Sequence, residues 1–360
     1  MGASSQSIIY STIAALALEK LSDKIADTIS TGTPALYFYK KRDNWEGVSS
    51  GGRQLRKVVL YQLQTVRPIG SYGSVNINPI DSHTSSYWDW VQTAVPVSFS
   101  DMEEFQTSGN ESIETIVKAK YQQAVASLDD FMSRALFRGQ ADIDGSSFTT
   151  ALTSPTDSST FVDPFSKLVD YAPTGARTVG GIAQATSTFW QNQQAASTAT
   201  TMAAFLQELR ALHIKTQRGG GGADKAPDFH LTTERVYNIY EKCLAVYYRN
   251  SSVAKSDLPF ENVVFKGSPV IADQYCPDVA NSAVSEDTNA EGTWYMLNSA
   301  WMGFTYDKGK SFKLGATVRP NNQLASSALM PVRGTHWTNN RRKLGVLGSI
   351  GLASLEAATT

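Results

Sequence analysis

Residues 111–138 read ESIETIVKAKYQQAVASLDDFMSRALFR, and this stretch decides the fold of the chain. Its apolar side chains recur at the three- and four-residue spacing of a helix with one buried face. They are Ile113, Ile116, Val117, Tyr121, Ala124, Val125, Leu128, Phe131, Met132, Ala135 and Leu136. At about 1.5 Å per residue the helix is roughly 42 Å long, well above the usual length of about 11–12 residues. Asn110 and the Ser108/Glu111 pair are suited to cap its start, and Gly139 lies where it should end.

Upstream of this helix, residues 46–100 predict an extended β-hairpin. Leu55 to Thr65 is strand-like, and residues 67–83 supply the Gly, Pro, Asn and Ser of a turn-rich tip. The return run follows Trp88 and Trp90 and alternates cleanly at Val91, Thr93, Val95, Val97 and Phe99. An isolated two-stranded hairpin is marginally stable in water, so this ribbon needs a surface to lie on. A partner chain is a candidate for that surface.

The rest of the chain predicts an α+β protein. Helices are expected at Ala199 to Ile214 and at Thr232 to Tyr248, and residues 169–181 suggest a crossing between two sub-domains. Short strands are expected at 262–265, 270–272, 294–298 and 312–314. Residues 5–30 are expected to form an amphipathic arm. Its apolar stretch, Ile8 to Leu18, is not preceded by the Lys or Arg of a secretory signal and is too short to span a membrane, so no membrane association is expected.

Composition excludes some classes of protein. The 360 residues are 41% hydrophobic and 18% charged, which is typical of a folded chain. With 32 basic and 33 acidic residues the net charge is −1, so the chain lacks the basic excess of a protein that condenses nucleic acid over its whole surface. Contact with DNA through a local basic patch remains an alternative. Cys243 and Cys276 are far apart in the sequence and form no Cys-x-x-Cys motif, so a disulfide framework is not expected. Both are expected to be small buried apolar residues in a reducing compartment.

No motif predicts a catalytic, cofactor or metal site, so the chain is not expected to be an enzyme. The glycines at 219–222 lack the Lys-Ser/Thr of a phosphate loop, and residues 142–145 lack the Glu of a calcium loop. The four histidines have no ligand spacing. The basic run 341–343 allows two interpretations: a charged strand edge, or a contact with a neighbouring subunit or a polyanion.

The order of these parts resembles the major capsid protein of tailed bacteriophages, the Hong Kong ninety-seven type fold. The closing segment Asn339-Asn340-Arg341-Arg342-Lys343-Leu344-Gly345-Val346-Leu347 is similar to one in that family. So are Phe265-Lys266-Gly267-Ser268-Pro269-Val270 and Trp294-Tyr295-Met296-Leu297-Asn298. The resemblance spans nearly the whole chain and rests on the order of the motifs.

The resemblance implies five parts along the chain. They are an N-terminal arm (1–45), an extended hairpin loop reaching over a neighbour (46–100), a peripheral domain (101–175) with spine helix 111–138, an axial α/β domain (176–325), and a return to the peripheral domain (326–360). The family's Lys–Asn cross-link cannot be placed on residues of this sequence and is not carried over.

The implied function is structural: self-assembly into the icosahedral shell of a tailed phage around its double-stranded DNA genome. Expected partners are copies of the chain in pentamers and hexamers, a separate scaffolding protein, a portal, packaged DNA bound without sequence specificity, and, as a further candidate, a decoration protein. The expected location is the virion capsid, after assembly in the host bacterial cytoplasm. Candidate inter-subunit contacts are Ile69, Tyr72, Trp88, Trp90, Arg341 and Arg342. Alternatives are an encapsulin-like nanocompartment shell and, more weakly, a monomeric intracellular enzyme.

Overall fold

The computed structural model describes residues 34–35, 39, 45–49, 51–73, 78, 80–102, 110–138, 162–217, 226–247, 263–273, 275–276, 291–319 and 323–357. The strands are β1 (Trp45–Val48), β2 (Gln54–Leu60), β3 (His83–Asp89), β4 (Val91–Ser100), β5 (Thr178–Val179), β6 (Ile182–Ala183), β7 (Gln193–Ala196), β8 (Phe229–Thr232), β9 (Val263–Phe265), β10 (Ser268–Ala272), β11 (Glu291–Leu297), β12 (Met302–Asp307), β13 (Ala325–Thr338) and β14 (Gly345–Gly351). The helices are α1 (Asn110–Arg138), α2 (Phe165–Leu168), α3 (Met202–Gln217), α4 (Glu234–Tyr247) and α5 (Leu352–Ala357).

The long predicted helix is confirmed as α1, which begins one residue before the predicted start. Its described side chains from residue 120 onward follow the apolar spacing, with Tyr121, Leu128, Met132 and Leu136 at most 2% exposed. This buried face belongs to a core shared with β4. On the flank of the helix, the Lys120 ammonium donates to the Ser98 carbonyl oxygen at 3.0 Å. The helix therefore rests on its own subunit.

A four-stranded sheet with the order β1-β12-β13-β4 lies beside α1. The alternating run at 91–99 is a strand, as predicted, but its partner is β13, in a register that runs from Ala325↔Ser100 to Gly334↔Val91. The hairpin closes instead between β2 and β3. Alternation identifies a half-buried strand but not its neighbour, because pairing depends on which face the tertiary fold buries.

A six-stranded sheet with the order β7-β14-β11-β8-β10-β9 forms the second half of the subunit. Both of its faces are buried: Leu231 of β8 points into the core shared with α1, and Trp294 of β11 into the core shared with α3 and α4. Strand β14 lies between β7 and β11. The segment 326–360 thus contributes β13 to the four-stranded sheet and β14 to the six-stranded sheet, and its predicted return to a peripheral domain stays a prediction.

Other predicted elements have mixed outcomes. Helices α3 and α4 are confirmed with ends shifted by one to three residues, and β9, β10 and β11 match predicted strands. The strand predicted at 312–314 is wrong, because Phe312 adopts a positive φ of 60° and buries its ring beside Trp45. The arm at 5–30, the glycines at 219–222 and residues 142–145 lie outside the described residues.

Candidate assembly surface

Strands β2 and β3 form a two-stranded antiparallel ribbon. They pair from Gln54↔Asp89 to Leu60↔His83, and the Tyr61 N–H extends the ladder by donating to Ser82 O at 3.0 Å. Side chains alternate between two faces of such a ribbon. The inner face is buried or half-buried and the outer face is exposed. The inner face therefore packs on the subunit, and the outer face is accessible to a partner.

The inner face is anchored on the chain's own β5–β6 turn. Trp88 is 1% exposed and packs on Gly180, where an added Cβ would lie 2.9 Å from Trp88 Cζ2. Gly180 also has a φ of +59°, and its carbonyl oxygen accepts the Tyr87 N–H at 2.9 Å. Both the backbone conformation and the close approach require glycine here. Trp88 is a core residue, so its assignment as an inter-subunit contact is wrong.

Further contacts at Lys57, within β2, and at Tyr61, just past its tip-side end, hold the ribbon to the body. The Lys57 ammonium lies 3.7 Å from the ring centroid of Trp337 and 3.8 Å from the Glu46 carboxylate. Tyr61 stacks on Phe189 with ring centroids 4.9 Å apart. A cation over an indole contributes about 0.5–2 kcal/mol, depending on its desolvation. The paired strands of the ribbon thus lie against their own subunit and do not form a loose hairpin.

The outer face and the tip expose an apolar surface to solvent. Its large side chains are Val58, Leu60, Leu63, Val66, Ile69 and Tyr72, each more than half exposed. We call these six residues the ribbon patch. Exposed apolar side chains that follow one another along a single element are typical of a protein–protein contact. Ile69 and Tyr72 are therefore accessible, as their predicted role requires.

Trp90 and Arg342, two other predicted contacts, occupy intermediate and exposed positions respectively. The Trp90 indole nitrogen is buried without a hydrogen-bond partner. Neither position rules out a contact with a second subunit, so both residues stay predictions.

Arg341 lies in the interior, fully buried. Its guanidinium donates to the carbonyl oxygens of Leu168, Lys167 and Trp190 at 2.8, 3.2 and 3.2 Å, and to Gln184 Oε1 and Asn192 Oδ1 at 2.8 and 3.1 Å. Burial lowers the pKa of Arg341 to about 10, while the charge of the nearby Asp170 opposes that shift. Neither the strand edge nor the inter-subunit contact predicted for Arg341 is correct.

The residues around Arg341 form a connected buried network. Asp170 accepts from Gln184 Nε2 at 2.6 Å and forms an ion pair with Arg177 at 3.0 Å. Asn192 donates to the Asp170 carbonyl oxygen at 2.7 Å. This network joins residues 167–192 to the turn that leads into β14. Sequence reasoning missed it, since its acceptors are largely backbone carbonyls, which carry no residue-type signal.

Two further observations cover the described part of the chain. There, no group of three or more His, Cys, Asp or Glu side chains is placed to hold a metal ion. Among the same residues, no helix combines the length and apolar character needed to cross a bilayer. The structure's distinctive exposed feature is the ribbon patch.

Comparison with solved structures identifies the fold of the chain. No protein-family model and no curated protein matches the chain. Among solved structures, the capsid asymmetric unit of cyanophage A-1(L) matches with a TM-score of 0.60 at 13% identity, covering 85% of this chain and 90% of that chain.

Two further capsids agree with that match. The capsid of a native GTA particle has a TM-score of 0.53 at 10% identity and covers 86% of this chain and 89% of that one. The capsid of Myoviridae phage XM1 has a TM-score of 0.51 at 14% identity, with coverages of 85% and 90%. The chain has the fold of tailed-phage major capsid proteins, the Hong Kong ninety-seven type.

Proposed function

We propose that the chain is the major capsid protein of a tailed phage and self-assembles into the icosahedral shell around its double-stranded DNA. The observation that carries this proposal is the ribbon patch: an anchored ribbon with an exposed apolar outer face, on a subunit with a capsid fold. Without a second subunit, the six side chains of that patch would remain in water.

The energetics suit a shell. Covering one Val, Leu or Ile side chain contributes up to about 1.5–3 kcal/mol. The freedom lost on association costs about 4–15 kcal/mol and offsets much of the sum over the patch, so one ribbon gives a modest net contact. Closed symmetric assemblies repeat such contacts around each subunit, and linked contacts reinforce one another. Weak individual contacts also let misplaced subunits dissociate. The net charge of −1 limits repulsion among many identical chains.

The finer assignments belong to the same proposal. The arm (1–45), the hairpin loop (46–100) with its base held to the body, the peripheral domain (101–175) and the axial domain (176–325) would serve as parts of one shell subunit. Copies of the chain would form pentamers and hexamers, with a scaffolding protein and a portal during assembly in the host cytoplasm. A decoration protein would bind outside and DNA inside the finished virion capsid.

Electron microscopy and light scattering of the purified full chain at rising concentration test the proposal. We expect association through the ribbon patch, giving irregular or incomplete shells without a scaffolding protein and closed shells with one. Small uniform shells formed by the chain alone would favour the nanocompartment alternative. A strictly monomeric chain with an ordered ribbon would contradict a shell function altogether.

A further inference from the structure

Three short basic runs occur in the described residues, at 53–57, 308–313 and 341–343. Two of them are used inside the subunit. In the first, Lys57 lies over the Trp337 ring and beside Glu46. In the third, Arg341 and Lys343 are at most 1% exposed. The run that sequence analysis favoured for a polyanion, 341–343, is therefore a poor candidate.

The remaining run carries three free charges. Lys308, Lys310 and Lys313 are all exposed, on the segment that leaves β12 and turns back along β13. None of the three forms an ion pair with another described residue. We call residues 308–313 the lysine turn.

The acidic side chains on the strands beside the lysine turn are already paired. Asp307, which precedes the turn, lies 3.7 Å from the Arg333 guanidinium. Glu46, on the adjoining β1, lies 3.8 Å from the Lys57 ammonium. Local carboxylates therefore leave about three positive charges without compensation, although the whole chain has a net charge of −1.

The backbone of the lysine turn is held firmly. Asp307 Oδ1 accepts the Gly309 N–H at 2.8 Å, and the Phe312 N–H donates to Pro331 O at 3.0 Å. Ser311 Oγ donates to the Arg333 carbonyl oxygen at 3.1 Å and accepts the Arg333 N–H at 3.0 Å. The turn thus presents flexible ammonium groups from a fixed base, with the bulky Phe312 ring turned inward.

We infer that the lysine turn binds the phosphate backbone of double-stranded DNA without reading its sequence. Lysine ammoniums are compact point charges without the planar fork of arginine, so they suit a row of phosphates rather than one oriented carboxylate. The exposed side chains of the turn include no aromatic ring to stack on a base. This inference rests on the proposed shell function for its access to packaged DNA.

An acidic surface on a second copy of the chain is the competing partner. A DNA duplex carries about one phosphate charge per 1.7 Å of axis, so it can meet all three ammonium groups at once, whereas acidic side chains on a second copy would each have to be positioned opposite a lysine. These observations favour DNA.

The test is a salt titration of the full-length subunit, before assembly, with a fluorescent 30-base-pair duplex of arbitrary sequence. Wild type is compared with K308Q/K310Q/K313Q and with the matched control R210Q/K215Q/K242Q, which removes three exposed charges from α3 and α4. Each lysine that neutralises a phosphate adds about 0.9 to the slope of log affinity against log salt. We expect the triple lysine variant to lose about 2–3 from that slope and the control to keep it.

Shell formation is scored separately by electron microscopy, so the two proposals can fail independently. DNA binding that depends on the lysine turn, in a chain that forms no shells, would keep this inference and contradict the proposed function. An unchanged slope in the triple variant would overturn the inference. So would a variant that binds DNA normally but fails to assemble, since its lysines would then contact a second copy. K310Q alone, with an expected slope loss of about 1, serves if the triple variant does not fold.

Discussion

The Tyr39 hydroxyl forms a hydrogen bond with His336 Nε2, joining residues 297 positions apart. His336 Nδ1 lies 2.7 Å from the Asp163 carbonyl oxygen, which can only accept, so Nδ1 carries the proton and Nε2 accepts from Tyr39. Both rings are fully buried, and Tyr39 stacks on Phe165 at 6.2 Å. Tyr39, which belongs to the predicted N-terminal arm (1–45), is thereby fixed to β13 through a neutral imidazole.

This geometry predicts acid sensitivity at His336. Burial lowers its pKa to about 4, opposed by the hydrogen bond to Asp163. A folded pKa below the unfolded value of about 6.5 means that the unfolded chain binds more protons, so stability falls as pH drops from about 6.5 towards 4. We expect His336→Gln to remove about 2 kcal/mol of the loss between pH 7 and pH 5, measured by urea unfolding.

Other buried groups set the background for that measurement. His230 acts in the same direction, because burial lowers its pKa to about 3. Asp273 acts in the opposite direction: burial raises its pKa to about 6, so its contribution to stability rises as pH falls from 6 to 4. Both remain in the variant, and the difference between variant and wild type isolates His336. Parallel pH profiles for the two proteins would contradict the prediction.

Helix α1 gives a second prediction through Leu128, which is fully buried. Leu128→Ala removes three heavy atoms from the core and should lower the free energy of unfolding by about 2–5 kcal/mol. Gln122→Ala, on the exposed side of the same helix, should change it by less than about 0.5 kcal/mol. Urea unfolding of both variants checks this, and a cost at Leu128 no larger than that at Gln122 would mean that the helix face is not packed as described.

The ribbon's anchor gives a third prediction. Gly180→Ala adds strain at a φ of +59° and places a Cβ 2.9 Å from the Trp88 ring. Gly267→Ala is a matched control, because Gly267 has a φ of +90° and no atom within 4 Å of the added Cβ. The control should cost about 1–2 kcal/mol for backbone conformation alone, and Gly180→Ala about 1–3 kcal/mol more for the clash. Equal midpoints in thermal unfolding would show that Trp88 does not press on this turn.

Deleting residues 68–82 gives a fourth prediction. The subunit should stay folded and soluble, because the ribbon's anchors at Trp88 and Lys57 lie outside the deletion. It should assemble poorly, because Ile69 and Tyr72 of the ribbon patch are lost. Circular dichroism measures the first effect and electron microscopy the second. An unfolded deletion variant would place the tip in its own subunit's core.

How far the sequence predicts this fold depends on whether the signal is local. Helix α1 was predicted to within one residue, because a 3.6-residue period needs no knowledge of the partner. The partner of β4 was not predicted, because β13 lies more than 200 residues away and pairing follows tertiary burial. Phe312 shows the same limit: packing beside Trp45 fixes a backbone conformation that the sequence 312–314 does not favour.

For the candidate assembly surface, too, the sequence predicts local features but not long-range contacts. Ile69 and Tyr72 were placed correctly on an exposed tip because Gly, Pro and Asn mark turns locally. Trp88 looked like a ribbon side chain free to meet a neighbour, but Gly180, far along the chain, receives it. The local sequence predicts which face of a ribbon a side chain occupies. It does not predict which distant residues cover that face.

Arg341 and Arg342 provide the fifth prediction, as adjacent arginines with opposite environments. Arg341 donates to five buried acceptors, among them Gln184 and Asn192, whereas Arg342 is exposed. Arg341→Ala leaves those acceptors and the carboxylate of Asp170 buried without the guanidinium, and should cost about 3–5 kcal/mol. Arg342→Ala should leave the unfolding free energy nearly unchanged. Denaturant unfolding separates the variants, and assembly assays then show whether Arg342 contacts a neighbour. If Arg341→Ala left the subunit as stable as wild type but impaired assembly, the guanidinium would have to face another subunit, and the buried network would be wrong.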